Sequence, residues 1–281
     1  HYSSRRQRQM CIRDSPERYG SSYAVVVDDK AYIVDFGPGS VRRMAAMSKT
    51  WGGEFEQLEL QNISIAFLTH IHSDHSAGLS DLILTPWVMG RSTELELFGP
   101  PGLQKMAEHV TKAYEDDINY RLYGSQPANN KGYISIVEEI ENDGSIYKDK
   151  NVEVIAFKND HGDFENSFGF LFITKDKRIL FSGDTGVSDN LMNYGENLDI
   201  LVHEVYSSET FKNKTDDWQI YHNAHHTSSI DLGIIANKLK PKKLVLSHIL
   251  FWGATEESLL DDVKSNFDGN AIIAKDLMVI R

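Results

Sequence analysis

From Ser21 onward, apolar residues come in short runs separated by breaks rich in glycine, proline and aspartate. The stretch SYAVVVDDKAYIVDFGPGS reads as two β-rich runs around a turn at Asp28 and Asp29, a hairpin that ends in a loop carrying Gly37 and Gly39. Residues 63–68 form a short apolar strand, and LELFGP forms another. GLQKMAEHVTKAYEDD spaces its apolar residues as a helix does. Further strands are predicted over 152–157, 168–174, 178–182, 199–203 and 243–247, and helices over 228–239 and 255–266. The chain contains no repeat and no long low-complexity linker. Hairpins mixed with β-α units predict two sheets packed together with helices outside and loops gathered at one edge.

Composition narrows the function classes. With 281 residues and 41% apolar side chains the chain can bury a large core, and one domain over 16–281 is expected. The formal charge of −12 disfavours extended contact with nucleic acid. No apolar run approaches the roughly 20 residues that span a bilayer, and the N-terminus has no apolar signal core. A soluble cytoplasmic protein without a membrane partner is the expectation. A homodimer is compatible with the chain. A single cysteine, Cys11, excludes a disulfide framework and a multi-cysteine zinc site. It lies in MCIRDS, which looks like the translation of a sequencing adapter. Residues 1–15 therefore read as an artefact, the alternative being a basic disordered arm (RRQRQ).

The candidate chemistry is concentrated in LTHIHSDHSAG, directly after the 63–68 strand. Four residues of metal-ligand type, His70, His72, Asp74 and His75, occupy six positions. On an extended or loop backbone His70 and His72 project to one side, and Asp74 and His75 follow once the chain turns. Neutral imidazoles with a carboxylate suit zinc and related divalent ions. A lone histidine is usually structural or solvated, but four in this spacing make that reading weak.

HIHSDH resembles the His-x-His-x-Asp-His signature of the metallo-β-lactamase fold superfamily. The resemblance implies an α+β fold, a four-layer αββα sandwich, with one or two metals at a sheet edge. It also implies further ligands downstream. His161 in NDHGDF, Asp184 in LFSGDTG and His248 in LVLSHI each end an apolar run, in the implied order. By this similarity His70, His72 and His161 hold one divalent ion, Asp74, His75 and His248 the other, and Asp184 bridges them. The ligands suit zinc, with manganese or iron compatible. Two such ions share a hydroxide and stabilise charge on attacking and leaving oxygens. Asp74 is then a candidate to orient or deprotonate the nucleophile. A true β-lactamase is disfavoured, because the similar branches of that activity place cysteine or serine where Asp184 stands.

VHEVYSSETF and HHTSS, together with PERYGSS, VDFGPGS and FGPPGL, resemble the ribonuclease Z and arylsulfatase-like branch. That similarity implies His226 as the proton donor to the leaving group, supported by Glu204. The bland reading places His226 in the first turn of a helix capped by Thr227 or Ser228. His222 and His225 read as parts of a polar loop, His109 as a surface residue, and His203 either as a support of the metal shell or as a buried ring with a satisfied nitrogen. Phe251 and Trp252 are candidates for a substrate cleft or for core. FGFLFITKDKRILFSGDT leaves only a tight turn at 175–177, where ribonuclease Z enzymes commonly insert a long arm. The expected activity is therefore hydrolysis of a small phosphodiester or related ester by metal-bound hydroxide. The alternatives are a lactonase, an arylsulfatase, a ribonuclease Z-type endonuclease or a non-catalytic metal-binding protein.

Overall fold

The computed structural model describes residues 18–281. The 1–15 stretch and its artefact reading lie outside them. The chain divides into two compact units, one of residues 19–141 and one of residues 142–281 with Arg18.

The first unit opens with the expected hairpin, β1 (Tyr23–Val27) antiparallel to β2 (Lys30–Val34), closed by Asp28 in a left-handed conformation at φ 50°. After helix α1 (Ser40–Met47), β3 (Ile65–Phe67) pairs parallel with β2. The short α2 (Ser73–Ser76) and α3 (Leu79–Val88) lead to β4 (Leu95–Gly99), and α4 (Leu103–Ala113) and α5 (Glu115–Tyr123) lead to β5 (Ser135–Glu139). The sheet runs β1-β2-β3-β4-β5. One face contributes Ala31, Ile33, Ala66, Leu95 and Leu97, which pack with Val41 and Met44 of α1, Leu79, Leu82 and Ile83 of α3, and Leu103 of α4. Tyr32, Val34, Ile65 and Phe67 alternate with them and are equally buried, which is why these strands read as apolar runs rather than alternating patterns. The helix predicted over GLQKMAEHVTKAYEDD is two helices, with Tyr114 breaking the spiral between them.

Arg91 is the least expected core residue of this unit. It is fully buried, and its guanidinium donates to the carbonyls of Ile63, Leu82, Ile83 and Gly132 at 2.7–3.1 Å. Two of these acceptors, Leu82 and Ile83, belong to α3, where Pro86 has no N–H to give the Leu82 carbonyl four residues before it. Burial pushes the guanidinium down to about 10, so it stays charged at neutral pH. Arg91→Met keeps the volume but strands several buried carbonyls. We expect a loss of roughly 3 kcal/mol or more in urea unfolding.

The second unit holds β6 (Gly144–Lys148), β7 (Val152–Lys158), β8 (Phe168–Thr174) and β9 (Arg178–Phe181), an antiparallel meander. After α6 (Asp189–Tyr194), β10 (Ile200–Tyr206) joins parallel to β9. Next come α7 (Ser208–Phe211), α8 (Asp216–His225) and α9 (Ser229–Leu239). Then β11 (Lys243–Leu250), α10 (Glu256–Lys264) and β12 (Ala271–Ile273) complete the sheet, ordered β12-β11-β10-β9-β8-β7-β6. Leu171, Leu180, Leu201, Leu244 and Leu246 pack with Leu232 and Ile235 of α9 and Leu259 and Val263 of α10. The tight turn read between β8 and β9 is present, with Thr174 N–H donating to the Lys177 carbonyl at 2.9 Å. His222 and His225 are corrected: they lie on α8 and are buried, not in a polar loop. Its inward face is made of Trp218, Tyr221, His222 and His225, aromatic rings that an aliphatic helix pattern does not register. Among the described residues no helix is long and apolar enough to cross a membrane.

Candidate metal centre

In the first unit, β3 ends at Phe67 and the chain delivers Thr69, His70, His72, Asp74 and His75 within one loop and the first turn of α2. The loop is tied to the end of β2: Phe36 N–H donates to the His75 carbonyl at 2.9 Å and Ser21 N–H to the Asp74 carbonyl at 3.2 Å. Gly37 allows this approach, since a Cβ there would lie 2.1 Å from the Asp74 carbonyl oxygen.

Two of the histidine rings, His75 and His70, are oriented by named partners. Asp35, buried and left-handed at φ 57°, sits 2.7 Å from His75 Nδ1 and accepts from the Thr69 N–H at 2.8 Å and hydroxyl at 3.0 Å. The Thr69 hydroxyl, having given its proton to Asp35, accepts from His70 Nδ1–H at 3.1 Å. Both rings are thereby held as the tautomer that presents the Nε2 lone pair. His70 Nε2 lies 3.0 Å from His72 Nδ1, a nitrogen spacing suited to two ligands of one ion. His75 Nε2 lies 3.9 Å from Asp74 Oδ2. The chemistry of this donor set therefore fits a divalent metal. Asp35 escaped the sequence reading; a buried aspartate closing an apolar strand was its only signal. Asp35→Ala is expected to weaken metal affinity by about 10–100-fold, read by titration with zinc against a chelating dye.

In the second unit, Asp184 follows β9 through Gly183, which is left-handed at φ 62°. His248 is the extra residue of a β-bulge: Glu204 pairs with Ser247 and Val205 with Ile249. It carries φ 42°, local strain of the kind kept at functional positions. Asp184, His226 and His248 each offer a ligand atom within 4.8 Å of one another. His248 Nδ1 is 3.5 Å from Asp184 Oδ1, and His226 Nδ1 is 3.4 Å from Glu204 Oε2 and 4.0 Å from Asp184 Oδ2. Glu204 is fastened by its other oxygen, which accepts Thr227 N–H at 2.7 Å and Thr185 N–H at 3.4 Å. Burial, then Asp184, pushes the Glu204 carboxyl well above its usual range, against the opposing pull of His248 and of those two N–H groups. His161 joins the group, its ring centroid 5.5 Å from that of His226, and its Nδ1–H donates to the His225 carbonyl at 2.8 Å, so that Nε2 carries the lone pair.

His226 is not in a first helical turn. It is the C-cap of α8 in extended conformation (φ −138°, ψ 161°), and the cap of α9 is Ser228, whose hydroxyl accepts from Asp231 N–H. His203 is fully buried, its Nδ1–H donating to the Glu204 carbonyl at 2.6 Å, and burial pushes the ring down to about 4. Trp252 is core rather than cleft: it is buried, packs with Tyr206 and Leu250, and lies 4.5 Å from the His222 ring. His109 is exposed on α4 as read.

His222 leads to a pH prediction. Burial first, then His226 and Lys214, pushes its imidazole down to about 3 from 6.5. The folded ring is neutral, and only the unfolded chain takes up the proton near pH 6.5. Stability from this source is complete above pH 6.5 and is lost as pH falls toward 3. Urea midpoints should therefore drop between pH 7 and 4, and His222→Phe should drop less steeply.

A family model described as the metallo-beta-lactamase superfamily matches residues 15–248. The chain belongs to that superfamily. Among relatives of this superfamily member, Ribonuclease Z of Mycobacterium bovis is 27% identical over 271 residues, 93% of this chain and 91% of the relative. Among solved structures, human tRNase Z, short form, is similar with a TM-score of 0.68 at 21% identity, covering 95% of this chain and 94% of that one. The metallo-beta-lactamase fold protein YhfI from Bacillus subtilis gives 0.67 at 17% identity, covering 94% and 92%. The α+β, two-sheet class expected from HIHSDH is thus the fold observed.

Proposed function

We propose that this superfamily member is a metal-dependent hydrolase of ester bonds, acting on phosphodiesters with two divalent ions held by His70, His72, Asp74, His75, His161, Asp184 and His248. When bound, such ions lower the pKa of a water and spread the negative charge of the transition state. Zinc suits the nitrogen and oxygen donors, and manganese or iron would also fit. We treat 16–281 as one hydrolase domain.

The observation that carries this reading is the placement of His226 Nδ1 beside Glu204 Oε2 at 3.4 Å, with Asp184 and His248 adjacent. A carboxylate on one ring nitrogen orients the imidazole and favours its protonated form, so the other nitrogen can give a proton to a departing oxygen. Glu204 can do this only because its second oxygen is pinned by Thr227 and Thr185. Asp74, half-buried beside His75, is the proposed group that orients the nucleophile.

A second reading, an RNA endonuclease, is favoured by the ribonuclease Z relatives that align over most of the chain. The short β8-β9 turn and the acidic charge weigh toward smaller diesters. Steady-state hydrolysis of bis(p-nitrophenyl) phosphate and of a 3′-extended transfer-RNA precursor, by zinc-loaded and manganese-loaded protein, separates the two. Turnover of the small diester with an intact precursor supports the first reading, and efficient cleavage of the precursor supports the second. Failure on both moves lactones, sulfate esters and a non-catalytic metal-binding role ahead.

A further inference from the structure

His161 and His226 meet at the C-terminal end of α8, and one residue touches both. The carbonyl of His225 accepts the His161 Nδ1–H at 2.8 Å, and His225 is bonded in sequence to His226. Carbonyls in the last helical turn have no intrahelical partner, so this one is available for such a task. It can fix His161 only if the last turn of α8 is itself fixed.

The His225 side chain supplies that. Its Nδ1 lies 2.8 Å from the Tyr221 carbonyl and its Nε2 3.1 Å from Asp163 Oδ1. Its face rests on the Tyr221 ring, centroids 4.1 Å apart and planes within 20°. Its far side meets Gly162, where a Cβ would fall 2.1 Å from a ring atom and where φ is +60°. The loop that carries His161 and the helix that carries His226 are thus latched through one imidazole, with the Asp163 carboxylate at the solvent end, 99% exposed against 8% for His225.

We propose that His225 is a positioning residue: clamped by Asp163, Tyr221 and Gly162, it sets the ring of the metal ligand His161 and the extended backbone of the proton donor His226. This rests on the two-metal reading above. It adds three residues, Gly162, Asp163 and His225, to the set that governs metal affinity.

The test uses metal-free full-length protein titrated with cobalt(II), followed by its visible absorption, together with thermal unfolding of the same samples. The wild type should take up two equivalents. Asp163→Ala, a change at an exposed side chain, should weaken one equivalent by about 10-fold or more and leave the other unchanged, with the metal-free melting temperature little altered. Asp163→Asn, which keeps an oxygen acceptor, should restore most of that affinity. His225→Phe, which keeps the stack on Tyr221 but neither hydrogen bond, should match Asp163→Ala. Two equivalents with unchanged affinity in Asp163→Ala and His225→Phe, or equal weakening of both equivalents, would overturn the assignment. Wild-type protein that binds no cobalt would remove the two-metal reading and this inference with it.

Discussion

Asp184→Ala should lower kcat on bis(p-nitrophenyl) phosphate by about 10³-fold or more while leaving the protein folded. The carboxylate lies with the ring nitrogens of His248 at 3.5 Å and His226 at 4.0 Å, and the neighbouring Glu204 cannot stand in for it, because one of its oxygens is committed to Thr227 and Thr185. The loop itself does not depend on the Asp184 side chain. Its main-chain carbonyl accepts from the Ser167 hydroxyl at 3.3 Å, and Gly186 N–H anchors the following turn to the Asp160 carbonyl at 2.7 Å. Two buried carboxylates close together repel, so metal-free Asp184→Ala should melt at or above the wild-type temperature. Turnover and metal content measured together give the check. Wild-type activity in this variant would refute the role assigned to Asp184.

His226→Ala should separate substrates by their leaving groups. Diesters with alkoxide leaving groups need a proton as the bond breaks, and their kcat should fall by about 10²–10⁴-fold. p-Nitrophenolate departs unaided, so activated diesters should lose less than about tenfold. Glu204→Gln should reproduce the pattern in weaker form, because the amide keeps the contact with Thr227 N–H but no longer favours a charged His226. A plot of log kcat against leaving-group pKa should therefore be steeper in the His226 variant. Parallel lines for variant and wild type would exclude a proton-donor role. A silent His226→Ala on lactones, whose ring opening leaves a tethered alkoxide, would favour a lactonase.

Much of the candidate site was legible because its residues carry their signal locally. His70, His72, Asp74 and His75 fall within six positions after an apolar strand, and His161, Asp184 and His248 each close another. Fold class followed from that signature and from strands that ran as expected over 168–174 and, with small shifts, over 178–182 and 243–247. The residues that escaped act at a distance in sequence. Asp35 orients His75 across 40 positions, and His225 holds His161 across 64. Arg91 gathers carbonyls from three segments, and a single arginine in a polar stretch gives no hint of full burial. α8 was hidden because its buried face is aromatic and imidazole rather than aliphatic.

The sequence by itself determined the donor chemistry: imidazoles and carboxylates without cysteine in the described chain, at spacings that a strand end and a turn bring together. It also determined the hydrophobic pattern from which two sheets follow. Only the tertiary structure decided which nitrogen of each ring faces outward, because that depends on the atom bonded to the other nitrogen, Asp35 for His75, Thr69 for His70 and the His225 carbonyl for His161. It likewise decided that His226 stands beside Glu204. That contact arises from a parallel strand, a bulge at His248 and two main-chain hydrogen bonds to one carboxylate oxygen, contacts that bring residues far apart in sequence together and leave no local trace.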